Sequence, residues 1–222
     1  MAGPQPKQFL ALDGVPILIH PLRTFAAVKR VTAIYVAVRK SEMERAEAQV
    51  AEYGFAGRVH VLEGGERRQE SVANALRALP AQPDDIVLVH DAVRPLIDAA
   101  TIERTIDAVA EHGAAIVGLP ALDTIKQVER TAHGALITAT IPREYVVLAQ
   151  TPQGFLYGLL ERAFAEATAD GFVGTDEASL LERAGHPVAV VPGSQVNLKI
   201  TQPGDLELAE FYLRHRAQAP GS

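Results

Sequence analysis

The chain has 222 residues, 48% of them hydrophobic, and a formal net charge of -6 at pH 7. This length and apolar content suit one large α/β domain or two small ones and exclude a disordered or fibrous protein. No cysteine is present, which excludes a disulfide framework, a thiolate metal site and a cysteine nucleophile. The acidic balance disfavours a surface that coats nucleic acid. Because no segment resembles a membrane span or a signal peptide, we expect a cytoplasmic protein.

The first part of the chain predicts alternating helices and strands. Apolar residues recur at helical spacing around Pro21, and Ser41 with Glu44 forms a capping box for a helix that ends at Gly54. A β-branched run between those helices indicates a strand. The predicted elements, in order, are a helix over 16–28, a strand over 31–38, a helix over 41–54, a strand over 59–62 and a helix over 72–79.

The stretch around which the chain is organised is the apolar run 86–89, followed by His90, Asp91 and Arg94. Four apolar residues without a break predict a central parallel strand buried on both faces, and such strands hold ligands at their carboxyl ends. Asp91 is suited to bind a divalent cation and Arg94 to bind an anionic substrate. Taken alone, the two residues would rather indicate an ordinary turn with a surface ion pair.

A second candidate site is the passage from the strand over 59–62 through Gly64 and Gly65 to Arg68 and Ser71. Glycines let the backbone approach a ligand closely, and the amides at the start of the next helix favour anions or carbonyl oxygens. An ordinary strand-to-helix loop explains the two glycines equally well.

In the second half of the chain, the alternation of helices and strands is interrupted once. Polar and apolar residues alternate on both sides of a His133-Gly134 turn, which predicts a β-hairpin within residues 121–147. Because a hairpin is marginal alone, we expect it to project and pack on a second copy of the chain. The other predicted elements are helices over 101–112, 156–167, 175–185 and 206–214, strands over 115–119, 188–191 and 195–200, and a disordered tail over 217–222.

Four polar residues in this half stay open on the sequence alone. Thr175 and Asp176 begin a helix, so pure capping explains them as well as a site does. Lys199 interrupts an apolar strand pattern, and such a lysine lies at a sheet edge or points into a pocket. Arg143 follows the hairpin, where a lone arginine is expected to be solvated.

Seven passages between Pro6 and about Leu213 are more specific together than any one of them alone. They are Pro6-Lys7-Gln8-Phe9, Gly64-Gly65-x-x-Arg68-x-x-Ser71-Val72, Val89-His90-Asp91-Ala92-x-Arg94-Pro95, Asp123-Thr124-x-Lys126, Gln150-Thr151-Pro152-Gln153, Thr175-Asp176-Glu177-Ala178 and Asn197-x-Lys199-x-Thr201. In order and spacing they resemble the 2-C-methyl-D-erythritol 4-phosphate cytidylyltransferases of the non-mevalonate isoprenoid pathway.

The resemblance implies one nucleotidyltransferase domain over residues 1–222, with a Rossmann-like α/β fold whose mostly parallel sheet has helices on both faces. It implies that residues 121–147 form a β-arm for homodimerisation. The implied reaction transfers CMP from CTP to 2-C-methyl-D-erythritol 4-phosphate, with Mg²⁺ as the divalent cation and without nucleic acid or membrane as a partner. Such a reaction between two anions depends on positioning and charge neutralisation, with no covalent nucleophile.

The resemblance also implies roles for individual residues. The catalytic residues would be Lys7, Arg143 and Lys199. The nucleotide would be bound by Gly64, Gly65, Arg68, Ser71, Asp91 and Ala92, with Asp91 also at the metal. The acceptor would be bound by Arg94, Thr124 from across the dimer, Arg143, Thr175, Asp176 and Lys199.

One feature of the family does not occur in this sequence. The family has a strand and a loop of the form A-A-G-x-G-x-R-M shortly before Pro-Lys-Gln, and Met1 falls where that motif ends. We therefore expect the sheet to lack its first strand and the glycine-rich loop, and we interpret Met1 as an internal methionine or the chain as truncated. A ribitol-5-phosphate cytidylyltransferase and a non-catalytic homolog without a phosphate loop are the alternatives. A dehydrogenase is disfavoured because no G-x-G-x-x-G follows a strand.

Overall fold

The computed structural model describes residues 5–216, with side chains to residue 215. The helices are α1 (Ile19–Ala27), α2 (Met43–Glu52), α3 (Arg68–Ala78), α4 (Ala99–His112), α5 (Tyr157–Ala169), α6 (Glu177–Arg183) and α7 (Pro203–Arg216). The strands are β1 (Ala11–Leu12), β2 (Val15–Pro16), β3 (Ile34–Val38), β4 (Val59–Glu63), β5 (Ile86–Val89), β6 (Ala114–Pro120), β7 (Ile125–Thr131), β8 (Gly134–Ile141), β9 (Val147–Leu156) and β10 (Ala189–Pro192). Short 3-10 turns occupy Lys7–Phe9, Lys40–Glu42 and Arg143–Tyr145. The tail predicted to be disordered, 217–222, lies outside the described residues.

The strands of the body form two separate sheets. One has four strands in the order β10-β6-β9-β5, and the other is the parallel pair β3-β4. In the larger sheet β10 and β6 are parallel, whereas β9 runs antiparallel to both of its neighbours. Helix α4 packs on one face of this sheet, and α5 and α6 pack on the other. The α/β architecture with helices on both faces is the predicted one. The prediction that residues 86–89 form a central strand buried on both faces was wrong, because within residues 5–216 β5 lies at the edge of this sheet and is only half-buried.

The ends of several helices follow directly from local sequence. Pro21 lies in the first turn of α1. Backbone N–H groups there have no acceptor within the helix, so the N–H that proline lacks costs no hydrogen bond. Helix α4 begins at Asp98, whose carboxylate accepts from the Thr101 amide at 2.7 Å, and it ends at Gly113, whose φ of 82° favours glycine. None of the described helices is long and apolar enough to cross a lipid bilayer.

Two predicted helix caps were wrong. A 3-10 turn occupies the position of the expected capping box at Ser41, and α2 then begins after Glu42 without a side-chain cap. Helix α6 is capped by Asp176 rather than by Thr175, since the Asp176 carboxylate accepts from the Ser179 amide at 3.0 Å. In both helices the prediction located the element but misplaced its first residue, which depends on backbone geometry that the pattern does not encode.

Strand β9 was missed because its centre is polar and contains a proline, which argue against a central strand. Its polar side chains are buried but have partners. Gln153 donates to Asp176 at 2.8 Å and accepts from the Ala178 amide at 3.1 Å. Gln150 donates to the Ser194 carbonyl at 2.9 Å. These bonds offset the cost of burying amides in a sheet.

The predicted strand over 195–200 was also wrong. The Asn197 amide closes a turn onto the Ser194 carbonyl at 3.0 Å, and the Ile200 amide donates to the Val93 carbonyl at 2.9 Å. This segment is therefore tied to the loop after β5 by single bonds instead of a ladder. Lys199 lies on this irregular segment and not on a strand.

The predicted hairpin was confirmed. Strands β7 and β8 pair from Ile125–Ile141 to Thr131–Gly134, with one register shift after Gln127. Nearly all residues of both strands are exposed. We call residues 121–147 the arm.

Candidate active site

Asp91 follows β5 and lies among three basic side chains. Arg68 Nε donates to Oδ1 at 3.0 Å, and Lys199 Nζ donates to Oδ2 at 2.9 Å. Arg94 Nε lies 3.7 Å from Oδ2. The Asp91 side chain is 11% exposed. The structure thus brings together Arg68, Asp91, Arg94 and Lys199, which lie in three separate passages of the sequence.

The charge of Asp91 is fixed by these neighbours. Burial by itself would raise the pKa of this carboxyl, but the nearby charges of Arg68 and Lys199 outweigh it and lower the pKa to about 2. Asp91 is therefore ionised at any physiological pH.

Glu177 is a site residue that the sequence did not single out. It is 1% exposed at the start of α6, and Arg68 Nη1 lies 2.7 and 2.8 Å from its two carboxylate oxygens. Burial raises the pKa of Glu177, and the charge of Arg68 opposes the shift. A signal was present, because Glu177 shares the helical spacing of the buried Leu180 and Leu181 and so lies on the apolar face.

The loop through Gly64 and Gly65, between β4 and α3, sets the position of Arg68. The Gly64 amide donates to the Val38 carbonyl at 2.7 Å, and the Gly65 amide donates to Ser71 Oγ at 3.0 Å. A Cβ atom on Gly64 would come within 2.7 Å of Ser71 Oγ, so the close approach of loop and helix requires glycine there. The predicted residues Gly64, Gly65 and Ser71 hold one another, and α3 then begins at Arg68.

A second network lies behind Asp91. Its amide donates to Thr151 Oγ1 at 3.1 Å, and Thr151 Oγ1 lies 3.0 Å from His90 Nδ1. His90 Nε2 lies 3.1 Å from the Arg94 carbonyl, which can only accept, so Nε2 carries the proton and Nδ1 accepts from Thr151. This chain of bonds fixes the turn that contains Ala92, in which the Arg94 amide donates to the Asp91 carbonyl at 2.9 Å.

Two predicted residues, Arg94 and Lys7, bond to the segment 197–201 that carries Lys199. The buried Arg94 donates through Nη1 to the Asn197 carbonyl at 2.8 Å, which ties the Asp91 turn to the segment that carries Lys199. Lys7 donates through Nζ to the Thr201 carbonyl. We call Arg68, Asp91, Arg94, Glu177 and Lys199 the charged edge.

The remaining predicted residues lie elsewhere in the described chain. Thr124 is exposed where the arm begins, and Arg143 donates to the Leu122 carbonyl of the same arm. Thr175 is exposed before α6. Asp176 is occupied by its bonds to Gln153 and Ser179. Their roles at the acceptor stay predictions.

The charged edge has few carboxylates that could hold a metal ion. Residues 5–216 contain no cluster of three or more histidine, aspartate or glutamate side chains that could hold a metal ion. Asp91 is a single ionised carboxylate that opens toward the cavity beside it. Mg²⁺ is commonly held by one or two carboxylates together with substrate phosphates and water, so this donor fits Mg²⁺ only as a partner of a phosphate ligand.

Solved structures with this architecture define the class of the protein. It is similar to the 2-C-methyl-D-erythritol 4-phosphate cytidylyltransferase of Thermus thermophilus, with a TM-score of 0.78, 36% identity and 94% of each chain covered. It is also similar to the 4-diphosphocytidyl-2C-methyl-D-erythritol synthase of Anaerococcus prevotii, with a TM-score of 0.83, 30% identity, 92% of this chain covered and 88% of the other. The fold is that of an α/β nucleotidyltransferase.

Comparison of sequences identifies the family. Residues 1–215 match the family described as IspD, 2-C-methyl-D-erythritol 4-phosphate cytidylyltransferase. The protein of that name from Acidobacterium capsulatum is 70% identical over 213 residues, which are 96% of this chain and 89% of the relative. The one from Solibacter usitatus is 52% identical over 217 residues, 97% of this chain and 88% of the relative. The chain belongs to the 2-C-methyl-D-erythritol 4-phosphate cytidylyltransferase family and is a cytidylyltransferase.

Proposed function

We propose that the charged edge carries out the reaction of this family, the transfer of CMP from CTP to 2-C-methyl-D-erythritol 4-phosphate with release of pyrophosphate. The observation that supports this most directly is the set of three cations around Asp91 at the end of β5. Arg68, Arg94 and Lys199 outnumber the carboxylates of Asp91 and Glu177, so the edge has a positive balance suited to phosphates.

The chemistry needs positioning more than it needs a nucleophilic side chain. A phosphate oxygen of the acceptor attacks the α-phosphorus of CTP, the bond from that phosphorus to the bridging oxygen breaks, and pyrophosphate leaves with the electron pair. Both reactants are anions, so cationic groups held in place lower the barrier by reducing their repulsion. Asp91 holds Arg68 and Lys199 in place by ion pairs. Lys7 donates to the carbonyl of Thr201, two residues after Lys199.

Asp91 would hold Mg²⁺ together with the phosphates of CTP. The ion would supply charge neutralisation on the triphosphate. Because Lys199 and Arg68 already occupy both oxygens of Asp91, at least one of these ion pairs would lengthen when the nucleotide binds. We propose that Lys199 moves, because it is the more exposed partner, at 42% against 37% for Arg68, and the more flexible one.

We also propose that the active form is a homodimer built by the arm, within a single domain over residues 1–222. Large apolar side chains are exposed along the arm and at its base, namely Leu122, Val128, Leu136, Ile137, Ile141, Tyr145, Val147 and Leu148. This many exposed large apolar side chains on one element are typical of an interface. Thr124 and Arg143 stand on the same arm, so a partner could carry them to the charged edge of its neighbour. A cytoplasmic location stays a prediction of the sequence.

The test is pyrophosphate release from CTP and Mg²⁺ with 2-C-methyl-D-erythritol 4-phosphate or ribitol 5-phosphate as acceptor. We expect turnover with the first and at least about tenfold lower kcat/KM with the second, because the family motifs that read CTP would be shared and only acceptor contacts would differ. Equal or better turnover with ribitol 5-phosphate would contradict the acceptor. Calorimetric binding of CTP without any turnover would point to the non-catalytic alternative.

A further inference from the structure

The side chain of Gln69 reaches from α3 to the loop over residues 170–176, which connects α5 to α6. Its Nε2 donates to the Phe172 carbonyl at 3.2 Å, and its Oε1 accepts from the Gly174 amide at 3.0 Å. A backbone carbonyl can only accept and a backbone amide can only donate, so these two partners fix the orientation of the side-chain amide. A carboxylate would lack the donor and an apolar side chain would lack both groups, so the pair of bonds requires an amide side chain.

The two ends of this loop are fixed by the helices that it connects. At the α5 end, the Phe172 amide donates to the Ala167 carbonyl at 2.8 Å. At the α6 end, Asp176 caps the helix and accepts from Gln153 at 2.8 Å. Within residues 5–216, the hydrogen bonds that α3 makes to the loop all come from Gln69. This one side chain therefore sets where the centre of the loop lies relative to α3.

Arg68, the residue before Gln69, contacts the chain again just beyond the loop. Its Nη1 lies 2.7 and 2.8 Å from the two carboxylate oxygens of Glu177. Two consecutive residues of α3 thus contact residues 174 and 177, one at each end of a four-residue segment. We call residues 174–177 the held segment. Because α3 begins just after the predicted nucleotide-binding loop, this helix connects that loop to the held segment.

The held segment contains Thr175 and Asp176, two residues predicted to bind the acceptor. Thr175 is exposed, two residues before the Glu177 of the charged edge. The backbone before it packs closely on α6, since a Cβ atom on Gly174 would come within 2.4 Å of Ser179 Oγ. This contact blocks movement toward α6, and the two bonds from α3 oppose movement in the other direction. Thr175 therefore occupies a defined place beside the charged edge.

We propose, on the basis of the function proposed above, that Gln69 is a positioning residue for the acceptor. It keeps the held segment in the place where Thr175 meets the acceptor. Arg68 serves the nucleotide side, where it has its own ion pairs with Asp91 and Glu177. Loss of the Gln69 amide should therefore weaken binding of the acceptor and leave binding of CTP nearly unchanged.

Kinetics of Gln69→Met and Gln69→Glu in the full chain test this. Methionine has a similar length and removes both bonds, whereas glutamate keeps the acceptor for the Gly174 amide and loses the donor to the Phe172 carbonyl. We measure pyrophosphate release with the acceptor that the unmodified protein turns over. The KM for this acceptor should rise about tenfold in Gln69→Met, as expected when roughly two neutral hydrogen bonds are lost, and less in Gln69→Glu.

Two comparisons separate positioning of the acceptor from a general loss of structure. The KM for CTP and the value of kcat should change by less than about twofold in both variants, because a lost ground-state contact to one substrate raises the KM for that substrate alone. Gln82→Met, at an exposed position in the loop before β5, is the matched control. It should leave both KM values and kcat unchanged.

Hydrogen exchange at the Gly174 amide gives a readout that needs no turnover. Exchange should become at least about tenfold faster in Gln69→Met, because this amide loses its acceptor. In Gln69→Glu, which keeps an acceptor, exchange should lie closer to that of the unmodified protein. The amides of the buried strand β6 should exchange as slowly as before in both variants, which would show that the fold is intact.

Each other result would overturn the proposal. Unchanged exchange at Gly174 in Gln69→Met would show that Gln69 does not hold the loop. Faster exchange with an unchanged KM for the acceptor would show that the acceptor does not depend on the held segment. Equal rises in both KM values, or faster exchange throughout β6, would indicate a general structural role. Absence of turnover in the unmodified protein would instead contradict the proposed reaction, and exchange at Gly174 would still decide whether Gln69 holds the loop.

Discussion

The charged edge and the arm differ in where their side chains find partners. At the charged edge every carboxylate already has a cation from the same chain, and Asp91 is only 11% exposed. On the arm, Leu136 and Ile137 are 65% and 64% exposed. The side chains of the charged edge are therefore held by contacts within the chain, while the arm can bury its apolar side chains only against another surface.

The largest effect is expected when the centre of the charged edge is changed. Asp91→Asn removes the charge that holds Arg68 and Lys199 while keeping the shape of the side chain. We expect kcat/KM for pyrophosphate release to fall at least about 1000-fold, or roughly 4 kcal/mol. Asp170→Asn, at the exposed pair with Arg183, is the matched control and should keep full activity. Wild-type kinetics in Asp91→Asn would show that the edge is not the reactive centre.

The arm is tested by charging its apolar surface. The double variant Leu136→Asp with Ile137→Asp should weaken the dimer at least about 100-fold, or roughly 2.7 kcal/mol, because carboxylates would be desolvated in the contact. Sedimentation velocity over a range of concentrations measures this. His133→Asp, in the turn of the same hairpin, adds a charge without replacing an apolar side chain and should leave assembly unchanged. If the unmodified protein sediments as a monomer at all concentrations, the arm has another partner.

A pH dependence should separate the two regions further, since His90 lies behind the charged edge. Burial lowers the pKa of His90 to about 4 from its ordinary value of 6.5, although its bond to the Arg94 carbonyl opposes the shift. The unfolded chain thus takes up this proton before the folded one does. The stability that His90 contributes should be complete well above pH 6.5 and should fall by about 2 kcal/mol by pH 5, with a further loss toward pH 4.

Urea unfolding at pH 7 and pH 5 measures this loss. Protonation would turn Nδ1, which now accepts from Thr151, into a donor, so the Thr151 O–H would lose its acceptor. His90→Gln cannot take up a proton and should lose less stability between the two pH values. An identical pH profile in His90→Gln would assign the loss to other groups.

The smallest effect is expected at Glu177, which would act on a bound nucleotide only through Arg68. Glu177→Gln leaves an acceptor for Arg68 but removes the charge, so Arg68 should be held less firmly toward Asp91. We expect the KM for CTP to rise about tenfold, or roughly 1.4 kcal/mol, with kcat nearly unchanged. Glu182→Gln, exposed on the same helix, is the control. A large fall in kcat with unchanged KM would place Glu177 in the chemical step itself.

Much of the charged edge could be predicted from the sequence because its residues sit in short passages with a strong local pattern. Asp91 and Arg94 follow an apolar strand, and Gly64 and Gly65 precede a helix. Glu177 was missed because a glutamate in a first helical turn is ordinary. Its burial depends on Arg68, which lies 109 residues away in the chain.

By itself the sequence determined the alternation of helices and strands, the hairpin and the family, since these rest on local periodicity and on short motifs in a fixed order. Only the tertiary structure decided that β9 is a strand, that residues 195–200 are not, and that β5 lies at the edge of its sheet within residues 5–216. Each of these depends on which distant segment offers a backbone partner. Strand β9 pairs with β5 and β6 on its two sides, whereas β5 pairs on only one side in the described part of the chain. When two paired segments lie far apart in the chain, the local sequence pattern of neither one shows the pairing.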